Sequence, residues 1–169
     1  HKGLDLIKYV FEDIIRLGCK FAILGSGEKI YEDFFSEMHY RYPDRVGLTI
    51  GFVPELSKKI YAGADMFLMP SQSEPCGLAQ MIALRYGTIP IVRETGGLRD
   101  SIHDAGDKSG NGFTFKSYNA HDMLDAVVRA RAYYDDKMKW GRLVNTALKQ
   151  NFSWTKSAKD YIALYNDIH

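Results

Sequence analysis

The feature that most restricts how this chain can fold is an alternation of short apolar runs with longer segments whose apolar residues recur at helical spacing. Leu4, Ile7, Val10, Phe11, Ile14 and Ile15 share one helical face, and Gly18 supplies a stop. Lys20 to Leu24 then reads as a buried strand closed by Gly25-Ser26-Gly27. The pattern repeats: a helix over 28–41, a strand over 46–50, a helix from Pro54 to Ala62, and a strand over 65–69. A helix from Gly77 to Tyr86, stopped by Gly87, leads to a strand over 89–92. A short helix around Leu98 to His103 follows, then a Gly-, Asp- and Ser-rich loop over 105–112, with Phe113-Thr114-Phe115 as the last strand. Closing helices are expected over 119–134, 136–149 and 155–168. Strands that are apolar throughout, rather than at alternate positions, belong to parallel sheets covered on both faces. The expectation is a single α/β domain over 1–169, a doubly wound parallel sheet without repeats or linkers.

Composition agrees and removes other classes. A chain of 169 residues, 46% hydrophobic and 25% charged, has the apolar content for a globular core and is not a disordered polymer. Its apolar runs, such as Phe21 to Leu24 and Met66 to Met69, are far shorter than a membrane span. A net charge of +1 offers no field to draw in nucleic acid or an anionic membrane. Cys19 and Cys76 lie far apart, so no disulfide is expected, and a reducing cytoplasm (or plastid) is the default location. There is no Cys-x-x-Cys or His-x-x-x-His pair, so no protein-held metal is expected; His39, His103 and His121 are read as surface or capping residues. The chain opens His1-Lys2-Gly3, with no signal peptide and no initiator Met, and reads as a piece of a longer polypeptide.

In doubly wound sheets the ligand crevice lies beyond the carboxyl ends of the strands, which directs attention to the residues after Leu24, Ile50, Met69 and Val92. Gly25-Ser26-Gly27-Glu28 could let an anion approach a helix terminus, or be an ordinary turn. A dinucleotide fingerprint would need a third glycine where Ile30 stands, which disfavours an NAD site. Gly51-Phe52 could offer a stacking platform for a base, or Phe52 could be a core residue. The richest segment is Pro70 to Leu78. Glu74 could accept hydrogen bonds from hydroxyl groups or cap the next helix, Pro75 stiffens the loop, and the amides of a helix beginning at Gly77 could face a diphosphate. Cys76 fits a small buried loop residue better than a reactive thiol. Glu94-Thr95-Gly96-Gly97-Leu98 offers a glycine pair for close backbone packing or for a second sugar-facing loop.

Five motifs in order carry a specific resemblance that covers essentially the whole chain: His1-Lys2-Gly3-Leu4-Asp5, Glu74-Pro75-Cys76-Gly77-Leu78, Arg85-Tyr86-Gly87-Thr88-Ile89-Pro90, Thr95-Gly96-Gly97-Leu98 with Asp100, and Phe152-Ser153-Trp154. They resemble the carboxyl-terminal domain of bacterial glycogen synthases and plant starch synthases. That resemblance implies the GT-B architecture, in which two Rossmann-like domains face a cleft and the carboxyl-terminal one holds the nucleotide sugar. It implies that Lys2 neutralises the donor diphosphate and Glu74 binds the glucose hydroxyls, these two being the catalytic candidates. The backbone around Cys76, Gly77 and Leu78 would cradle sugar and phosphate. Gly51 and Phe52 would flank the base, with Phe52 where many members carry a Tyr stacked on adenine.

The implied reaction is a retaining, front-face transfer of glucose from ADP-glucose (or UDP-glucose) to the non-reducing end of an α-1,4-glucan, with no metal or other cofactor. The implied partners are that nucleotide sugar, the glucan and an amino-terminal domain of the same polypeptide, onto which the terminal helix of 155–169 would cross. The 169 residues alone would then bind donor without transferring glucose. Two departures limit the comparison: Ile82 stands where related retaining transferases carry a second Glu, and the family's phosphate-binding Arg would precede His1. The alternatives are another GT-B transferase with a different donor or acceptor, or a non-catalytic nucleotide- or glucan-binding module. On these roles Glu74→Gln is expected to cut turnover while leaving affinity for ADP almost unchanged.

Overall fold

Five strands form where the apolar runs place them. In a computed structural model describing residues 1–107 and 110–168, these are β1 (Phe21–Gly25), β2 (Val46–Ile50), β3 (Met66–Met69), β4 (Ile89–Arg93) and β5 (Phe113–Phe115). They alternate with α1 (Leu4–Arg16), α2 (Lys29–Arg41), α3 (Pro54–Gly63), α4 (Ala79–Tyr86) and α5 (Gly96–Ser101), and α6 (Ala120–Asp135), α7 (Lys137–Leu148) and α8 (Trp154–Ile168) close the chain. Part of the loop expected over 105–112, and His169 at the end of the expected terminal segment, lie outside the described residues.

All paired strands run parallel, β1 with β2 and β4 between β3 and β5. The expected single sheet is therefore hydrogen-bonded as two groups, β1-β2 and β3-β4-β5. The facing edges of β1 and β3 border a cleft of about 750 Å³, into which Ile7 and Ile14 of α1 and Ile60 and Tyr61 of α3 also project. Wholly apolar sequence specifies burial on both faces of a strand but not which edges close into one ladder.

The core is centred on β4, where Ile89, Pro90, Ile91 and Val92 are all buried, as expected of a central parallel strand. Leu84 from α4, Leu98 from α5, Met123, Ala126 and Ala130 from α6, and Leu143 from α7 join it. Val10 and Phe11 of α1 reach the same core, and Phe11 stacks on Phe21 with ring centroids 4.2 Å apart. Gly18 adopts a left-handed φ of 83° just beyond α1, which is the stop read from the sequence. Asn119 and Asp136 cap α6 and α7, each side chain accepting from two backbone N–H groups.

Two boundaries differ from expectation for local reasons. Helix α4 begins at Ala79, because Gly77 sits at φ 71° outside the right-handed helical region, and Leu78 is the N-cap. Helix α5 starts at Gly96 and ends at Ser101, since Ile102 turns extended to bury its side chain. Helix α8 has no buried residue at all: Trp154 is 88% exposed, and Tyr161, Ile162, Leu164 and Tyr165 of its apolar face lie open to solvent.

Candidate functional site

The segment between β3 and α4 is shaped by the chain's amino terminus on one side and by a glycine pair on the other. Gln72 N–H donates to the His1 carbonyl at 2.9 Å, laying the first residues along Pro70 to Gln72. Gly3, at φ 77°, packs so closely that a Cβ there would lie 2.1 Å from the Pro70 carbonyl oxygen. This places Lys2 over the loop, where its Nζ meets Glu74 Oε2 at 2.5 Å. The Glu74 side chain is enclosed, 11% exposed, while Lys2 is 65% exposed. Ser71, itself buried, sets its Oγ 3.4 Å from the same carboxylate oxygen. Helix α4 has no side-chain cap, so the capping alternative for Glu74 is not realised.

On the other side, Gly97 N–H reaches the Glu74 and Pro75 carbonyls, each at 3.1 Å. A Cβ would fall 2.2 Å from the Glu74 carbonyl oxygen if placed on Gly96, and 2.1 Å from the Cys76 carbonyl oxygen if placed on Gly97. The glycine pair is therefore a close backbone packing, the structural alternative that the sequence left open. Cys76 is exposed, with its Sγ 3.7 Å from the Gly77 carbonyl, which corrects its reading as a small buried residue. The turn at Gly77 carries the backbone away from the helical path, and the amides opening α4 at Ala79 point from a shorter helix than expected.

Two residues that sequence reasoning passed over hold this loop. Gln80 is fully buried, and its Nε2 donates to the Cys76 and Gly77 carbonyls and to Ser101 Oγ, at 3.2, 2.9 and 3.1 Å. Its Oε1 is buried with no hydrogen-bond partner among the described residues. Arg93, at the end of β4, sends Nε to the Ser71 carbonyl at 2.9 Å, one terminal nitrogen to Gln72 O and the other to Lys116 O at 3.3 Å. Its guanidinium lies 5.8 Å from the centre of the Tyr118 ring, and the Tyr118 hydroxyl donates to Asp5 Oδ1 at 2.5 Å. Burial, and then that bond to an anion, push the Tyr118 phenol up to about 12. The available signals were a charged residue ending an otherwise apolar strand, and an amide inside a helix that buries its neighbours.

Behind β5, Arg129 donates two hydrogen bonds to Asp104, at 3.0 and 2.8 Å, and one to the Thr114 carbonyl at 2.7 Å. Burial acts to raise the Asp104 pKa, but the Arg129 bonds and the N–H groups of Thr114 and Gly106 outweigh it. The carboxyl is held below its ordinary value.

The remaining sequence-selected residues lie on the other sheet. Gly51, at φ 137°, continues the β2 ladder by donating to the Gly25 carbonyl at 2.8 Å. Phe52 follows it and is 90% exposed, so it is an open platform and not a core residue. In the turn after β1, Gly27 N–H is taken up by Glu32 Oε1 at 2.9 Å, which ties that turn to α2. The structure thus gathers Lys2, Glu74, Cys76, Gly77 and Leu78 in one loop cluster, and leaves Gly51 and Phe52 at the end of the two-stranded sheet. Among the described residues, no group of three or more His, Cys, Asp or Glu side chains is placed to hold a metal ion, and no helix is long and apolar enough to cross a membrane.

Strand-end loops on a parallel α/β domain are where such folds carry ligand sites, and residues 1–142 match the family described as glycosyl transferases group 1. The chain belongs to that family, and its fold is the Rossmann-like domain of a GT-B glycosyltransferase. Within the family it is similar to glycogen synthases: 53% identical over 169 residues to that of Anoxybacillus flavithermus, covering 99% of this chain and 35% of the relative. A glycogen synthase of Desulforudis audaxviator is 51% identical, with 98% and 34% covered. Among solved structures, the catalytic domain of starch synthase IV from Arabidopsis thaliana, bound to ADP and acarbose, superposes with a TM-score of 0.86 at 39% identity, covering 98% of this chain and 36% of that one. The chain spans about a third of the length of the curated relatives it matches.

Proposed function

We propose that this chain is the nucleotide-sugar-binding half of a retaining glucosyltransferase, which moves glucose from ADP-glucose (or UDP-glucose) to the non-reducing end of an α-1,4-glucan. The observation that carries the reading is the enclosed Glu74 carboxylate against Lys2, in a loop buttressed by Gly96 and Gly97 at the carboxyl end of β3. A carboxylate held there can accept hydrogen bonds from sugar hydroxyls, and an ammonium beside it can neutralise phosphate oxygens. The similarity to glycogen synthases, and to a starch synthase whose structure holds ADP and acarbose, supports the same donor and acceptor class.

In this reading Lys2 and the free amides at the start of α4 offset the charge of the departing diphosphate, with no protein-held metal. Glu74 orients glucose as its anomeric carbon gains positive character, and the Cys76–Leu78 backbone lines the sugar and phosphate. Exposed Phe52, next to Gly51, stacks on the base. Groups that activate the acceptor come from a second domain outside this chain. The bare apolar face of α8 fits a segment that docks there. A cytoplasmic location goes with this chemistry.

Calorimetry of the chain with ADP, UDP and their glucose conjugates tests the reading, alongside a transfer assay on glycogen. Binding of an adenine or uridine sugar nucleotide without transfer is the expected result. Lys2→Ala should weaken ADP binding by about 1–3 kcal/mol, the range for losing a hydrogen bond to a charged group. Sustained transfer by the chain alone would reverse the division of roles, and no binding of any of the four would remove the reading.

A further inference from the structure

The two side chains assigned to opposite ends of the donor hold each other, with Lys2 Nζ 2.5 Å from Glu74 Oε2. The partners are unequal. Lys2 is mostly in solvent and can swing, whereas Glu74 is enclosed, and its other side-chain neighbour, Ser71 Oγ, is at the long distance of 3.4 Å. We propose that Glu74 is an internal competitor for Lys2, so that the site discriminates against the nucleoside diphosphate left after transfer and in favour of the intact sugar nucleotide.

The inference rests on the donor-binding reading above and adds a specificity role to it. A bare nucleoside diphosphate must draw the ammonium from Glu74 towards its phosphates. That leaves an enclosed carboxylate without its counterion, a costly state, and sets it beside an anionic ligand of like charge. A sugar nucleotide makes the same demand on Lys2 but brings hydroxyl groups that donate to Glu74 and replace the lost partner. The penalty therefore falls on the product and not on the donor. From the sequence alone, neutralising Glu74 is expected to leave ADP affinity almost unchanged; the ion pair changes that expectation to a gain.

The test is calorimetric titration of the 169-residue chain with ADP and with ADP-glucose, for the parent, Glu74→Gln, Lys2→Met and the double variant. Glu74→Gln should tighten ADP by about three- to tenfold, the scale of one partly exposed ion pair, while ADP-glucose binds no better or worse. In the Lys2→Met background the gain should disappear. Glu74→Asp, which keeps the charge but shortens its reach, should give a smaller gain and serves if Glu74→Gln fails to fold. An ADP affinity unchanged or weakened in Glu74→Gln, as expected if Lys2 bridged carboxylate and phosphate together, overturns the inference and leaves the donor-binding reading standing. A parent chain that binds neither ligand sinks both.

Discussion

Replacing Arg93 by Met removes the tether between the Glu74 loop, the end of β5 and, through Tyr118, the start of α1. The three carbonyls that it serves are not equivalent. Ser71 is fully buried, so its carbonyl would lose a charged donor in a place that water reaches poorly, costing about 1–3 kcal/mol. Gln72 and Lys116 are exposed, and water can take over at their carbonyls for little. The stacking on Tyr118 adds about 0.5 kcal/mol. The sum, roughly 1.5–3.5 kcal/mol, corresponds to a fall in Tm of roughly 3–14 °C for a domain of this size. Thermal unfolding followed by circular dichroism reads it directly, and calorimetry on the same samples should show weaker ADP-glucose binding as the loop loosens. Arg93→Lys, whose single ammonium can still serve the Ser71 carbonyl, should recover about half of the loss. A Met variant that unfolds within about 1 °C of the parent would show that the loop is held by other contacts, and the positioning argument would fail.

Three further outcomes are expected. Gly97→Ala, whose Cβ would sit 2.1 Å from a backbone oxygen, should destabilise by about 1–3 kcal/mol and weaken ADP-glucose binding, whereas Gly25→Ala, with nothing within 4 Å, should unfold like the parent. Equal unfolding temperatures for the two variants would refute the close packing. Because the native Asp104 pKa lies below its unfolded value, the associated stability is present above about pH 4 and is lost as pH falls through the native value. Asp104→Asn should therefore be less stable at pH 7 and show a flatter stability curve as pH falls below about 4; parallel curves would remove this carboxylate from acid unfolding. Hydrogen exchange in α8, which buries no side chain, should be far faster than in β4, and equal protection would mean that its apolar face is already covered.

Fold class, strand positions and helix order were legible in the sequence, because they depend on local periodicity and on residues whose chemistry acts locally. Gly18 and Gly87 supply helix stops at their left-handed φ, and the apolar run Ile89-Pro90-Ile91-Val92 reads as a strand, though its central place in the sheet came only from the pairing. The segment around Glu74 also stands out locally, as a lone acid between a strand and a helix, whereas its assignment to sugar hydroxyls came from the family resemblance. What stayed hidden depends on contacts between distant segments. Nothing local to Lys2 states that it will meet a carboxylate 72 positions away, or that Gly3 must be glycine because Pro70 lies against it. The turn that starts α4 at Ala79 is held by Gln80 and Gly77 together, and the exposure of Cys76 and Phe52 reflects which surfaces the rest of the chain leaves uncovered. Which strand edges pair, and which polar side chains tether a loop, are decided by close packing in three dimensions, where one Cβ or one carbonyl out of place changes the answer.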